Sequence, residues 1–526
     1  MDYVTNRQPE PGKYISDLLA FISTGGLAHS IVVHHPNRTA ALSHIDSIPG
    51  MWNDWWNSPW IDTVGIDVVM RSFVTNDLNM LKDVPESLAG LIRAIHKLSL
   101  PRFPSDIPSY NSEACLPEDQ NFGLSPKKRH EVERMCSLLK SVSDQSEETG
   151  SAMKVPRSIH HIVDIGAGQE YLTRNLAIPP LSFNVLALDA DDHQTEGAVK
   201  RQAQLKWWQN KVFSGKKKGG NGKQDQKTQE VEDQPPPSSG MVTRATVFVD
   251  QVTLPQAIGE WVESGSDAEA VTSKSMPVLL TGLHACGSLT PAVLRSFVTL
   301  YRSQKEARDE PKDRTWKCAG IVIVGCCYNK IRDIDRDVPM SRCVRDHPLF
   351  SSLHLESLHL HLAAQVTHSW LEDPAAFQLG TRKIVFRALV EKLFFAKYGG
   401  EMFKSGVAVG RFNDAAYSSW GEYLRRAAAR LDSKADREVL LAADHGDSDG
   451  GGEVDVEEKK LVKRLELLHV LRCMLGPVIE SLIVIDRWMY LREELDQEVA
   501  VKMVNVFDQK TGSARNVALV VELVEL

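Results

Sequence analysis

The chain alternates between apolar runs of strand length and amphipathic stretches of helix length, most regularly between residues 125 and 330. In "SPKKRHEVERMCSLLKSV", Ser125 offers an N-cap and Pro126 suits the first helical position. Val132, Met135, Cys136 and Leu139 then fall on one face, which predicts a helix. "HHIVDIG" reads as a buried strand and "EYLTRNLA" after it as a helix. "FNVLALDAD" predicts a second strand, with "TEGAVKRQAQLKWWQNKVF" its following helix. "ATVFVD", "PVLLTGLHACG" and "CAGIVIVGCC" supply three more strands, and "LTPAVLRSFVTLY" a helix between the last two. Crossovers of this length predict an α/β fold with a doubly wound, mostly parallel sheet. Near the end, "VAVKMVNVFD" and "RNVALVVELV" flank a glycine-bearing turn at "QKTGSA", the pattern of an antiparallel hairpin.

Four regions are expected from these patterns. Residues 1–120 form a helical N-terminal region, and residues 121–350 the α/β core. Residues 351–498 form a mostly helical insertion, and 499–526 the hairpin that completes the sheet. Two stretches hold too little apolar surface to order themselves: 214–240, which is lysine- and glycine-rich, and 433–458, which contains "HGDSDGGGEVDVEE". "MWNDWWNSPW" places four tryptophans within ten residues; it could stack bases or simply pack a helical domain.

Composition narrows the class. Of 526 residues, 42% are hydrophobic and 25% charged, as in an ordinary globular chain. A net charge of −8 provides no global field for nucleic acid, so any such partner would need a local basic patch. The eight cysteines contain no CxxC pair, against a disulfide scaffold or a zinc ribbon and in favour of a reducing compartment, cytoplasmic or nuclear. No uninterrupted apolar run reaches the roughly 18 residues of a membrane crossing, and the start is polar, so neither a span nor a secretory leader is expected.

The sharpest chemical signal is "VDIGAGQEYL". Gly166 and Gly168 permit a tight strand-to-helix turn whose backbone NH groups a ligand can approach. Asp164 precedes the first glycine by two positions, and Asp189 ends the next strand about twenty residues on, where a carboxylate can grip ribose hydroxyls. A dinucleotide site would need a small residue where Tyr171 stands, and Asp164 would repel a pyrophosphate. The same carboxylate suits the ammonium group of a methionine moiety. Together with the strand inventory, this points to a class I methyltransferase Rossmann-like sheet binding S-adenosylmethionine. Asp250, ending the third strand, is placed either to reach the adenine amino group or to cap a turn.

The ordered set "SPKKRHEVERM", "VDIGAGQEYLTRNLA", "ALDADDHQTEGA", "GLHACGSLTPAVLRSF", "VGCCYNKI", "LGPVIESLIVIDRWMYLRE" and "FDQKTGSARNVALV" resembles the methyltransferase-like family of the type labelled ribosomal RNA adenine dimethylase domain-containing. The resemblance runs from about residue 123 onward. It implies a class I S-adenosylmethionine-dependent enzyme with its cofactor loop at Asp164, Gly166 and Gly168 and its ribose contact at Asp189. It also points to Lys127, Lys128, His130 and Glu131 near the cofactor mouth. Glu170 stands where the family pattern has a third glycine, which would narrow the loop, and Ser288 where it has an aspartate.

Ligands of doubly wound sheets bind at the carboxyl ends of the strands. His284 and Cys286 end the fourth strand, while Cys326, Cys327 and Tyr328 end the fifth. All five are therefore catalytic candidates, with His284 as a base and each cysteine alternatively a buried structural thiol. Strand alternation allows at most one of the adjacent cysteines to face the site. The Asn/Asp-Pro-Pro-Tyr/Phe loop of adenine N-methyltransferases is absent, as are the Pro-Cys and Thr-Cys motifs of cytosine-5 enzymes. No metal is expected, since adjacent cysteines rarely share one tetrahedral ion. The resulting expectation is methyl transfer to RNA or protein. A catalytically degenerate adaptor that binds a protein or RNA partner is the alternative.

Overall fold

The computed structural model describes residues 10–37, 55, 59–108, 124–192, 197, 239–265, 275–307, 315–399, 409–443 and 456–523, apart from breaks at 24–25, 145, 148–154, 157–158, 352, 354 and 366. The helix expected over 195–213, most of the 214–240 stretch, and Trp52 and Trp56 lie outside these residues.

Seven strands form one sheet: β1 (His161–Ile165), β2 (Asn184–Asp189), β3 (Val242–Thr246), β4 (Met276–Cys286), β5 (Trp316–Cys326), β6 (Val501–Asn505) and β7 (Val517–Glu522). Their spatial order is β3-β2-β1-β4-β5-β7-β6. The first five run parallel, and β7 pairs antiparallel with both β5 and β6. Burial along each strand follows its place in that order. Ile162–Ile165 and Val278–Leu283 are continuously buried, as central strands covered on both faces must be. The edge strand β3 is only half-buried from Val242 to Ala245 and exposed at Thr246. The other edge, β6, carries Lys502 paired with Glu522 of β7 at 2.9 Å, a charge that discourages further strand addition.

Helices α1 (Pro126–Ser143), α2 (Tyr171–Ala177), α3 (Thr253–Gly265) and α4 (Leu289–Glu306) accompany the parallel strands. Ser125 caps α1, its hydroxyl accepting from the Lys128 NH at 3.3 Å. The predicted face of α1, with Val132, Met135, Cys136 and Leu139, packs with Leu172 and Leu176 of α2 and with Ile162, Leu279 and Val322 of the sheet. Each such fully buried side chain contributes about 1.5–3 kcal/mol. Arg134 ties α1 to the strap that precedes it and to the end of β6, donating to the carbonyls of Ser105 and Val506 at 2.7 Å each.

The chain divides into two compact units, and their boundaries correct the four-region expectation. The sheet unit comprises Pro101–Arg345 and Ile483–Leu526; the helical unit comprises Pro9–Leu100 and Asp346–Leu482. The N-terminal helices and the insertion are thus one body. Their contacts are long-range and invisible to local periodicity: Ser16 Oγ meets His347 Nε2 at 3.1 Å, and Arg472 donates to the carbonyls of Ile31 and His34 at 2.8 Å. Trp55 and Trp60 are buried in this unit, Trp60 donating to the Trp55 carbonyl at 2.8 Å, so these two indoles are packing residues and not stacking platforms.

One further expectation is overturned, and one helix needs comment. Residues Lys434–Ala442 fold as a helix capped by Ser433, because Leu440 finds a place in the core around Tyr417 and Tyr423. The long helix α5 (Val456–Glu494) contains a stretch, Lys459–Glu494, long enough to cross a membrane and holding an 18-residue window of mean hydropathy 1.8. Isolated polar residues interrupt every apolar run there and hid it from the run criterion. Its apolar window is 89% buried inside the protein, as in a core helix.

Candidate active site

In the sheet order, β2 and β3 extend to one side of β1, whereas β4 and β5 extend to the other. The chain reverses direction between β1 and β4, and crevices open at the carboxyl ends of strands flanking such a switch point. A cavity of about 820 Å³ lies there, within the range of small-molecule sites. The glycine loop after β1, the ends of β2 and β4, and the segments after β3 and β5 line it, together with Lys128 of α1.

The glycine loop is held open by backbone geometry. Gly166 and Gly168 adopt φ of 74° and 52°, and a Cβ on Gly166 would stand 2.9 Å from Leu289. Asp189 organises the loop: its Oδ2 accepts from the Gly168 NH at 2.8 Å and its Oδ1 from the Asp191 NH at 3.0 Å. Asp189 also lines the cavity.

Glu170 does not narrow the loop, contrary to the expectation. It takes up the left-handed conformation (φ 57°) that a glycine would adopt without strain, at a cost of about 1–2 kcal/mol. Its carboxylate turns away from the cavity and, 2% exposed, forms a bidentate pair with Arg244 of β3 at 2.7 and 2.8 Å. Sequence spacing gave no hint of this pairing.

Asp164 lines the cavity but is only 2% exposed, and its Oδ2 accepts from the Thr173 hydroxyl at 2.6 Å. Burial pushes its carboxyl from 3.8 up to about 6, with the Thr173 hydrogen bond opposing and the Glu170 charge assisting. The fold therefore prefers the protonated form. Stability from this group is fully present below pH 3.8 and is lost as pH rises through about 6. Asp164→Asn keeps an acceptor for Thr173 and should raise the thermal midpoint at about pH 7.5. The gain should reach up to about 3 kcal/mol and shrink toward zero near pH 4; thermal denaturation at the two pH values checks it.

Two expected cofactor residues lie elsewhere. Asp250 is exposed and caps the turn into α3, accepting from the NH groups of Val252 and Thr253 at 2.8 Å, and these bonds hold its carboxyl below the usual range. Val247, Phe248 and Val249 line the cavity in its place, and Phe248 is 68% exposed, an open ring face for a base. His130 accepts from the Asp508 NH at 3.3 Å through Nε2 and is not a lining residue; burial, helped by Arg134, lowers its pKa. Lys127 is exposed and outside the lining set.

Lys128, Glu131 and His284 form a chain. Glu131 is 3% exposed, and its Oε2 meets His284 Nε2 at 3.0 Å and Lys128 Nζ at 3.3 Å. Burial works against its charge, but His284 and then Lys128 outweigh it and leave the carboxyl below its ordinary value. With Nε2 donating to this carboxylate, Nδ1 of His284 is left as the acceptor nitrogen. His284 and Lys128 both line the cavity. Ser288, in place of the family's aspartate, also lines it, and its hydroxyl accepts from the Arg332 NH at 2.9 Å.

The cysteines depart most from expectation. Strand geometry ends at Cys326, and Cys327 takes a left-handed conformation (φ 49°), so alternation no longer applies. As a result the sulfurs of Cys286, Cys326 and Cys327 all lie within 4.8 Å of one another, with Cys286 and Cys326 at 3.2 Å. Cys286 borders the cavity, while Cys326 is buried behind it. The hydrogen bond with Cys286, then that with Cys327, pushes the Cys326 thiol up, whereas donation from Cys326 draws Cys327 down. Tyr328 does not border the cavity; it is buried with the Arg487 guanidinium 5.2 Å from its ring. Lys330 and Arg332, after β5, complete the lining and had no motif to announce them.

Residues 127–305 match the profile of a protein family described as a methyltransferase domain. The matched stretch contains β1 through β4 and therefore the glycine loop, Asp189 and His284. Probable methyltransferase-like protein 25 of Mus musculus is 27% identical over 240 residues, covering 44% of this chain and 35% of that protein. Its Homo sapiens counterpart is 22% identical over 466 residues, covering 71% of this chain and 70% of its own length. The mouse alignment thus spans about a third of that relative. No solved structure matches the chain.

Proposed function

We propose that the chain is a class I methyltransferase that uses S-adenosylmethionine to methylate a macromolecule, protein or RNA. The observation that carries this reading is the Asp189–Gly168 clamp, which opens a glycine turn into a cavity at the switch point between β1 and β4. The residues present fit the cofactor. Positive φ at Gly166 and Gly168 keeps Cβ atoms out of the turn, Asp189 retains acceptor capacity for hydroxyls, and Phe248 offers a ring face to an adenine. When bound, S-adenosylmethionine supplies an electrophilic methyl group on a sulfonium.

The chain's own residues then do two jobs. The loop and Asp189 would hold the donor at the carboxyl ends of the strands, so that catalysis is mainly positioning of the reactants. His284, held by Glu131, presents Nδ1 as the base that receives the nucleophile's proton. The motifs of adenine N-methylation are missing from the β4 loop, so the adenine dimethylase subtype gains no support from the site. The adaptor alternative loses its main argument, because Glu170 points away from the cavity.

Calorimetric titration of the full chain with S-adenosylmethionine and S-adenosylhomocysteine tests this. Wild type should bind both, Asp189→Ala should bind at least about 100-fold more weakly, a loss of about 2.7 kcal/mol, and Asp250→Ala should match wild type. Absence of binding to the folded wild-type chain would sink the enzyme reading. Labelled methyl transfer into extracts from cells lacking the protein then identifies whether RNA or protein accepts the group.

A further inference from the structure

We propose that Cys286, Cys326 and Cys327 form a binding site for one zinc-like d10 metal ion, with three thiolate ligands and a fourth position open to the cavity. The inference is independent of the methyl-transfer reading. Among the described residues, this is the one cluster of three or more metal-ligating side chains close enough to share an ion. A tetrahedral ion about 2.3 Å from each sulfur separates the sulfurs by about 3.8 Å. One pair is 3.2 Å apart and all three sulfurs lie within 4.8 Å of one another, so small side-chain shifts bring them to that value. Soft thiolates select zinc or cuprous ions over hard cations. The usual objection to adjacent cysteines falls here, because the left-handed turn at Cys327 brings its sulfur round to the same side as Cys326.

The cradle is built before any ion arrives. Cys286 and Cys326 are register partners on adjacent strands, and the loops that follow are stitched together. Gly287 NH donates to the Cys326 carbonyl at 3.0 Å, Lys330 NH to the Cys327 carbonyl at 2.8 Å, and Arg332 NH to the Ser288 hydroxyl. Such fixed backbones hold ligands to the tolerance that metal sites need.

A second observation concerns charge. Arg487, on α5, is 3% exposed, and its Nε and Nη2 have no hydrogen-bond partner. It lies against β5, where a Cβ on Gly325 would meet its Nη1 at 2.6 Å, and it feels the Cys326 sulfur. Asp486 and Asp337 also act on it electrostatically, yet Asp486 already accepts from the NH groups of Met340 and Ser341 and from the Ser341 hydroxyl. Lys330 and Arg515 act electrostatically on Cys327. Three thiolates around a divalent ion leave one net negative charge, and this cationic surround suits that anion. Cys286, on the cavity wall, provides the entry path and leaves the fourth coordination position facing that space.

Cobalt(II) titration of the reduced full chain, followed by zinc(II) displacement, tests the site. One cobalt per chain should bind with thiolate-to-metal charge-transfer absorption, and zinc should abolish the band. Cys286→Ser and Cys327→Ser should each weaken cobalt binding at least about tenfold, since each removes one of three strong ligands. Cys343→Ser should leave the titration unchanged. Circular dichroism and the thermal midpoint establish that each variant is folded, and the wild-type titration stands without any variant. A folded, reduced wild type with no charge-transfer band would overturn the proposal, and so would an unchanged band in the triple Cys286, Cys326, Cys327→Ser variant. S-adenosylmethionine affinity is measured separately, so loss of one reading does not disguise loss of the other.

Discussion

Arg244→Ala is expected to destabilise the sheet unit by about 3–5 kcal/mol, the range for removing one partner of a buried ion pair. The cost comes from the group left behind. Glu170 has a side chain only 3% exposed, so without Arg244 its carboxylate is an uncompensated charge in the interior. The reverse deletion is milder. Arg244 retains 20% exposure and can draw on water, and Glu170→Gly also removes the strain of a non-glycine residue at φ 57°. The double variant Glu170→Gly with Arg244→Leu should therefore recover most of the parent's stability. Urea denaturation of the four chains gives the ordering: parent and double variant highest, Glu170→Gly between, Arg244→Ala lowest. An Arg244→Ala chain within about 0.5 kcal/mol of the parent would contradict the assignment.

The second large effect is expected at Gly287, between β4 and α4. Its φ is 55°, and a Cβ there would stand 2.4 Å from the Lys330 carbonyl oxygen, a backbone atom that no rotamer change can move. Left-handed strain of about 1–2 kcal/mol adds to an overpacking term of about 1–3 kcal/mol, so Gly287→Ala should cost roughly 3 kcal/mol. Gly287→Asn separates the two causes. Asparagine tolerates the left-handed region better than alanine but carries the same Cβ. If the carbonyl contact dominates, both variants lose stability about equally; recovery by asparagine would assign the loss to backbone strain alone. Chemical denaturation provides the values.

Local chemistry was legible in the sequence, and long-range pairing was not. The central strands could be read because burial on both faces demands unbroken apolar runs, and the glycine turn because only glycine adopts its φ without cost; the edge strand β3, only partly buried, lies at Val242–Thr246 and not over the "ATVFVD" read for it. Asp189 followed from its distance to that turn. Asp250 was misplaced with its strand: β3 ends at Thr246, and Asp250 stands beyond it in the turn that it caps. The Glu170–Arg244 pair joins residues 74 apart and carries no periodic signature. The cysteine cluster was hidden by a rule that holds only inside strands: one left-handed residue, Cys327, ended the alternation from which a single pocket-facing sulfur was inferred. The two bodies of the chain were concealed for a related reason. Helical periodicity reports that a face is buried, but not which distant segment buries it.

The sheet order bears on how the chain matures during synthesis. Of the seven strands, β7 is made last, yet it sits between β5 and β6, and Val322 of β5 waits for Val520 as its partner. The ribosome must build the whole helical unit before that pairing can form. Until then β5 presents the bare edge of an apolar strand, an invitation to association with other chains. Loops this long slow the search for the native contact. A nascent chain of this design therefore depends on protection during translation more than one whose sheet closes in sequence order.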